Sequence, residues 1–235
     1  METTNAGLRE RKKQKTRDEI SAVATMLFAE RGFERVTIAE VAAAAEVAKM
    51  TVTNHFPLKE DLVFDRHAEM TAGLAEAVGE RRPGESVPER VQRAYAEGLE
   101  RGDPTLGHLG VGFARLVEGS PALQAREQQI HGLREAALAE ALIEEFGSAP
   151  DDLTPRIVAA QLAGVYRILY YEARRRLLAG QDPETLRARL AQAADSAFGL
   201  LRADLGGYGR LGTENTDEKS TGEENTGEDD RTERA

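Results

Sequence analysis

The 235-residue sequence contains no cysteine. This absence excludes a disulfide framework, a thiol nucleophile and any zinc site with cysteine ligands. It fits a reducing compartment, so we expect a cytoplasmic protein. Long hydrophobic runs are also missing, because the most apolar stretch, 158–171, is interrupted by Gln161 and Arg167 and is too short for a bilayer. The basic N-terminus leads into a polar segment, so we expect neither a signal peptide nor a membrane partner.

The residue patterns of most enzymes are absent as well. His67, His108 and His131 lie far apart, and no pairing with one another or with carboxylates has metal-ligand spacing. The adjacent acids at 144–145 and 151–152 would face different directions on a helix or lie in a loop, which argues against an acid/base role. We therefore expect no enzyme, no metal and no cofactor. An all-helical enzyme remains a rival interpretation that observed turnover of a substrate would revive.

Charge is distributed unevenly along the chain. The net charge of −10 argues against a nucleic-acid partner, but residues 1–60 hold ten basic against nine acidic side chains. Local charge decides where a phosphate backbone can lie. Residues 1–15 predict a disordered basic arm that either contacts DNA or is simply a solvated tail. Residues 207–235 carry nine acidic against four basic residues and predict a disordered acidic tail.

Three helix starts share one pattern, a capping residue followed by proline. They are Ser120-Pro121, Thr154-Pro155 and Asp182-Pro183, and they predict helices over about 121–146, 155–178 and 183–205. In the first of these we expect Ile130, Leu133 and Leu138 to face inward. Nothing in the chain reads as a run of strands, so the sequence predicts an all-α fold.

Residues 37–56 predict a helix-turn-helix unit. Thr37 and Glu40 form a capping box, which favours a helix start. A second helix follows the turn, with Val52 and Phe56 four residues apart on its core face. Pro57 ends this helix, because a residue before proline avoids the helical region. The remaining side chains of the second helix are polar or flexible and suit base edges and phosphates: Lys49, Met50, Thr51, Thr53, Asn54 and His55.

Several short motifs occur together in one order and spacing: Ala29-Glu30-Arg31-Gly32-Phe33, Val36-Thr37-Ile38, Glu40-Val41, Val47, Thr51-Val52, His55-Phe56-Pro57 and Lys59-Glu60-Asp61-Leu62. With these motifs, residues 16–62 resemble the DNA-binding domain of the TetR family of transcriptional regulators. The resemblance implies an N-terminal three-helix DNA-binding domain over 16–62 and a C-terminal ligand-sensing and dimerisation domain over 63–206. Three residues depart from the family pattern: Glu46 replaces a usual turn glycine, Ala48 a usual capping residue and Thr53 a common tyrosine.

The candidate DNA-binding residues are Thr37, Lys49, Met50, Thr51, Thr53, Asn54, His55 and Lys59. Asn54 can offer a bidentate amide to adenine, and Met50, Thr51 or Thr53 can contact a thymine methyl. Thr37, His55 and Lys59 suit the phosphate backbone, and for Lys59 the resemblance implies this role. Lys59 also opens a predicted helix that continues to Val78 and joins the two domains as one rigid element. The alternative for each residue is an ordinary solvent-facing side chain.

The candidate ligand-binding residues are Tyr95, His108, Phe113, Tyr166, Arg167 and Tyr170. Tyr166 and Tyr170 lie four apart on one helix face and could line a cavity, or they could fill the core or a dimer interface. The glycine-rich stretch 98–119 predicts short helices whose junction is either ligand-sensitive or merely loose.

The predicted helix over 155–178 is apolar nearly all round, and the one over 183–205 has leucines and alanines at helical spacing. We expect both to pack on a second copy as a four-helix homodimer interface. The combined hypothesis is a repressor that binds a palindromic double-stranded DNA operator and is released by a small, mostly apolar effector of unknown identity. The alternative is an effector-independent DNA-binding activator or DNA-organising protein.

Overall fold

The computed structural model describes residues 2–107 and 110–210, apart from the side chains of 2–6 and Glu10. Within these ranges every regular element is helical, which confirms the all-α prediction. The elements are α1 Glu2–Arg31, α2 Ile38–Ala44, α3 Lys49–His55, a 3-10 turn Lys59–Leu62, α4 His67–Gly79, α5 Val87–Arg101, a 3-10 turn Pro104–Leu106, α6 Val111–Glu118, α7 Pro121–Phe146, α8 Thr154–Leu178 and α9 Pro183–Leu205. No helix in the described ranges is long and apolar enough to cross a membrane.

The proline-marked starts place three long helices within one residue of their predicted positions. At α7 the Ser120 hydroxyl accepts a hydrogen bond from the Leu123 amide at 3.3 Å, and at α9 the Asp182 carboxylate accepts one from Thr185 at 2.9 Å. At α8 the capping oxygen differs from the prediction. It belongs to Asp152, which accepts a hydrogen bond from the Thr154 amide at 2.8 Å.

Helix α1 begins at Glu2, whereas the sequence predicted a disordered arm over residues 1–15. The arm lacks an apolar period, but it contains no proline and is rich in lysine, arginine, glutamate and glutamine, all good helix formers. Once α1 is nucleated by its packed half, these residues extend it without a core of their own.

The predicted continuous helix from Lys59 to Val78 is wrong. A 3-10 turn ends at Leu62, residues 63–66 break the helix, and α4 begins at His67. Side chains of α1 hold the break: the Ser21 hydroxyl donates to the Asp65 carboxylate at 2.7 Å, and Arg17 donates to the Asp65 carbonyl at 2.8 Å. The connection between the two parts of the chain is thus a bent segment fixed by α1, not a rigid rod.

Two hydrophobic clusters form the interior. The first contains Phe28 and Phe56 of the helix-turn-helix region, but it also includes Leu123 and Ile130 of α7 and Tyr170 of α8. The second fills the space between α4, α5, α8, α9 and the C-terminal half of α7. Helix α7 therefore packs its first half against the helix-turn-helix region and its second half into the other core.

The chain folds back after α9. The Val87 amide donates to the Tyr208 carbonyl at 3.0 Å, and the Tyr208 ring packs against Phe146 with centroids 5.2 Å apart. The sequence predicted disorder from residue 207 onward, but residues 207–210 pack on α5 because Tyr208 supplies an aromatic anchor. The rest of the predicted tail, 211–235, and the candidate His108 lie outside the described residues.

Candidate nucleic-acid interface and internal cavity

The predicted capping box at the start of α2 is present. The Thr37 hydroxyl accepts from the Glu40 amide at 3.2 Å, and the Glu40 carboxylate accepts from the Thr37 amide at 2.8 Å. These hydrogen bonds from Thr37 hold the pKa of Glu40 below its usual value. The helix therefore begins at a defined residue, and Thr37 stays exposed beside it.

The turn after α2 closes without the glycine that such turns favour. The Glu46 amide donates to Ala43 at 3.2 Å and the Val47 amide to Ala42 at 3.0 Å, which together satisfy the last carbonyls of the helix. This arrangement places Glu46 at φ 55°, in the left-handed region. A residue with a Cβ is strained there. Ala48 then precedes α3 and provides no side-chain cap, as expected for an alanine in place of the usual capping residue.

Helix α3 separates a buried face from an outward face. Val52 and Phe56 are fully buried, whereas Met50 is 68% exposed. Lys49 and Asn54 are exposed as well. Thr51, Thr53 and His55 are half-buried, and all three border the outward face. The predicted reading residues thus share one solvent-accessible surface.

Arg17 of α1 contacts the C-terminal end of α3. Its guanidinium donates to the His55 carbonyl at 2.5 Å and lies 4.3 Å from the centre of the Phe56 ring. Burial, followed by the positive charges of Arg17 and Lys13, lowers the pKa of His55 and so favours the neutral imidazole. Arg17 therefore supports the C-terminal end of α3 through these contacts.

Lys59 is also partly engaged. Its ammonium donates to the Phe33 carbonyl at 2.6 Å and lies 4.1 Å from the centre of the Phe33 ring. An ammonium group has three donors, so a contact to phosphate uses the remaining two.

The candidate ligand residues do not form one site. Tyr95 and Tyr166 pack edge to face with ring centroids 5.1 Å apart, whereas Tyr170 lies in the other hydrophobic cluster. Phe113 packs against Phe64 beside α1, and Arg167 is half-buried elsewhere on α8. The shared face expected for Tyr166 and Tyr170 is therefore divided between two cores.

A cavity of about 160 Å³ lies between α4, α5, α7 and α8. Among the candidate ligand residues that the structure describes, Tyr166 alone lines it. Its inner wall also includes Met70 and Leu74 of α4, Gly98 of α5 and Arg134 of α7. The cavity thus touches the helix that follows the bent connection to the DNA-binding unit.

Arg134 is a buried cation that sequence reasoning missed. It is 3% exposed, and its Nε donates to the Met70 carbonyl at 2.6 Å. Its Nη1 has no hydrogen-bond partner within residues 2–107 and 110–210. Burial lowers the pKa of this guanidinium, although an arginine remains charged. The sequence assigned the inward position to Leu133, but that side chain is 48% exposed.

The spacing of the buried residues in α7 contains a signal for the burial of Arg134. Its buried positions include Glu127, Ile130, His131, Arg134 and Leu138, which follow helical spacing only if polar residues are counted as inward. Glu127 is buried and pairs with Arg174 at 2.7 Å, and burial raises the pKa of its carboxyl group.

Comparison with known proteins identifies the chain. Residues 20–65 match the family described as bacterial regulatory proteins of the tetR family, and residues 85–203 match the MftR C-terminal domain. The chain is 31% identical over 204 residues to the HTH-type transcriptional regulator TcmR of Streptomyces glaucescens, an alignment that covers 84% of this chain and 89% of TcmR. The chain belongs to the TetR family. This TetR-family protein is therefore a DNA-binding transcriptional regulator.

The fold is shared with one solved structure, and a second structure is similar. A complex of SmeT with triclosan aligns over 80% of this chain and 90% of SmeT, with 18% identity and a TM-score of 0.51. A TetR-family regulator from Streptomyces coelicolor A3 covers 79% of this chain and 96% of its own, with 23% identity and a TM-score of 0.47. Regulators of the TetR family bind DNA, dimerise and bind small molecules.

Proposed function

We propose that this TetR-family regulator is a repressor that binds a palindromic operator as a dimer and leaves it when a small molecule enters the cavity. The observation that carries the proposal is the division of α3, with Val52 and Phe56 fully buried and Lys49, Met50 and Asn54 exposed. An exposed helix of this kind fits the major groove as the second helix of a helix-turn-helix unit.

The outward side chains supply complementary contacts. Asn54 pairs with an adenine edge, and Met50, Thr51 and Thr53 lie where a thymine methyl would pack. Thr37, Lys49, His55 and Lys59 fix the register on phosphates, with His55 acting as a neutral hydrogen-bonding group. Because phosphate contacts displace counterions, affinity should fall steeply with added salt.

The dimer is proposed to form through α8 and α9. Ile157 and Ile168 on α8 and Leu200 on α9 are 53%, 65% and 79% exposed in the single chain. Large apolar side chains exposed on neighbouring helices are typical of an interface that a second copy covers. Two recognition helices could then meet half-sites ~34–36 Å apart.

Effector release is supported by the contacts around the bent connection. Arg126 of α7 donates to the Asp61 carboxylate at 2.7 Å, and the Ser120 hydroxyl donates to Glu34 at 2.6 Å. These pairs join the DNA-binding unit to α7, which also lines the cavity. A ligand that shifts α4 against α7 would therefore change the spacing of the two recognition helices in the dimer. The helices would then no longer match their half-sites. The cavity favours this mechanism over the effector-independent alternative.

Selection of bound fragments from a random DNA pool tests the DNA claim. We expect recovery of an inverted repeat whose half-sites lie one helical turn apart, with salt-dependent affinity. Asn54→Ala should relax the preference at one base pair per half-site, while the surface variant Gln192→Ala on α9 should not. Recovery of no shared sequence, or of a single unrepeated half-site, would contradict the proposal.

A further inference from the structure

We infer that the effector of this regulator is a monocyclic aromatic molecule with a single carboxylate, which binds in the cavity with its carboxylate on Arg134. This inference rests on the proposed function, because it names the ligand class of the same cavity. Three observations support it: an incompletely paired buried guanidinium, the size of the cavity and the distribution of acids around it.

The guanidinium lacks a counter-ion. No carboxylate in the described parts of the chain lies within 4.0 Å of the Arg134 nitrogens, and its hydrogen bond goes to a neutral carbonyl. Isolated buried charges are strongly unfavourable, and they are normally paired. Elsewhere on the same helix Arg126 and the buried Glu127 both have partners, Asp61 and Arg174. An anion with two oxygens that draws the guanidinium into the cavity would pair with its two Nη groups in the forked geometry that a guanidinium favours.

The volume limits the ligand to about one ring. A cavity of about 150 Å³ lined by apolar residues holds one benzene molecule, and this one measures about 160 Å³. Its wall has an apolar part, formed by Met70, Leu74, Leu106 and the phenol ring of Tyr166, and a charged part that includes Arg134. Such a wall packs against an aromatic face, and the Tyr166 ring lies 5.6 Å from the Arg134 guanidinium, beside the expected carboxylate.

Five acidic side chains line the cavity against two basic ones, Arg101 and Arg134, and this excess of acids disfavours a second negative charge on the ligand. Glu97 is neutralised by Arg82 at 3.1 Å and by Arg93 at 3.6 Å, but Glu76 has no ion-pair partner among the described residues. Asp103 accepts hydrogen bonds from Thr105 rather than from Arg134. A second anionic group near these side chains would be repelled, so dicarboxylates and phosphates should bind poorly.

The same arginine connects the ligand to the DNA-binding unit. Arg134 donates to the carbonyl of Met70 in α4, the helix that follows the bent segment 63–66. A carboxylate that draws the guanidinium into the cavity competes with this hydrogen bond and loosens α4 from α7. Ligand binding and the position of the recognition helix are thereby coupled.

Calorimetric titration of the full chain with benzoate, its neutral isostere benzamide and the cation benzylamine tests the assignment. We expect benzoate to bind at least about tenfold more tightly than either analogue. Arg134→Met should remove this preference, Arg134→Lys should retain part of it, and Arg115→Met on the exposed side of α6 should change nothing. If Arg134→Met fails to fold, the Lys variant supplies the readout.

Equal binding of benzoate by the wild type and Arg134→Met, or the absence of benzoate binding, would overturn the inference. Operator affinity is measured on the same samples. If the protein binds an inverted repeat but not benzoate, only the ligand class is wrong. If no sequence-preferring DNA binding occurs, the proposed function fails, whatever the titration shows.

Discussion

Arg90 at the corner between α4 and α5 and Arg134 on α7 are both buried, yet their guanidinium groups meet different surroundings. Arg90 has no partner for its Nε among the described residues, but its two Nη groups donate to the Val78 carbonyl at 2.9 Å, the Gly209 carbonyl at 3.1 Å and the Glu145 carboxylate at 3.3 Å. Arg134 reaches one carbonyl and leaves Nη1 without a partner in the described chain.

The difference extends beyond the two arginines. The inward strip of α7, which we define as residues 126–134, also contains His131, whose Nε2 is buried without a described hydrogen-bond partner. Buried charges that have partners stabilise one structure. Buried charges without partners raise the free energy of the folded state until a ligand binds them. We therefore interpret the α4–α5 corner as the static part of the C-terminal domain and the strip as its responsive part.

The largest loss in the free energy of unfolding should follow from a substitution in the α4–α5 corner. Arg90→Met leaves Glu145 with less of its counter-charge and the carbonyls of Val78, Glu85 and Gly209 without their donor. We expect a loss of about 3–5 kcal/mol in the free energy of unfolding, measured by urea denaturation. Arg82→Met removes an exposed ion pair and should lose less than about 1 kcal/mol, so similar losses in the two variants would remove the distinction.

The next effect should come from the junction between the strip and the DNA-binding unit. Arg126→Leu deprives the buried Asp61 of its cation, which should lower the free energy of unfolding by about 2–3 kcal/mol. Adding Asp61→Asn should recover part of this loss in a double-mutant cycle. Purely additive losses in that cycle would show that the two side chains are not coupled.

The strip should also make stability depend on pH. Burial, reinforced by the charges of Arg134, Arg167 and Arg174, lowers the pKa of His131 to about 3. The unfolded chain binds this proton near pH 6.5 and the folded chain does not, so stability falls as pH drops from about 7 towards 3. At pH 5 the loss attributable to this residue is on the order of 2 kcal/mol.

Comparison of wild type with His131→Leu by denaturation at pH 7 and pH 5 isolates that contribution. The variant should lose distinctly less stability than the wild type across this interval. Parallel losses would place His131 in contact with solvent and weaken the case for a responsive strip.

The smallest effect should arise far from both regions, in the turn before α3. Glu46→Gly removes a left-handed strain of about 1 kcal/mol but adds freedom to the unfolded chain, so a net gain of roughly 0.5 kcal/mol is expected. Glu46→Ala keeps the Cβ and should be close to neutral. Thermal unfolding measures both, and destabilisation by glycine would mean that the Glu46 side chain makes a contact that outweighs its backbone strain.

Local signals predicted the parts of the fold that local chemistry controls. Capping residues followed by proline gave α7 and α9 their bounds, and the spacing of Val52 and Phe56 gave α3 its buried face. The break after Leu62 could not be predicted in this way. It depends on Arg17 and Ser21, which lie more than 40 residues away and bind Asp65 only in the folded chain.

The candidate sites also differ in whether local sequence signals can predict them. The exposed residues of α3 follow from helical spacing alone, whereas the burial of Arg134 depends on packing among α4, α7 and α8. An arginine in an amphipathic helix normally faces water, so the sequence favoured Leu133 as the inward residue. Arg134 would have been found by asking which polar residues share the spacing of Ile130 and Leu138.

The segment after α9 folds back on the corner, and this limits how far the protein can be truncated from its C-terminal end. Gly209 has no space for a side chain, because a Cβ there would lie 2.5 Å from Phe146 and 2.7 Å from Val87. Its carbonyl is also an acceptor for Arg90. A truncation after Arg210 keeps this acceptor, whereas a truncation after Leu205 removes it and deprives the corner of its last closing segment of backbone.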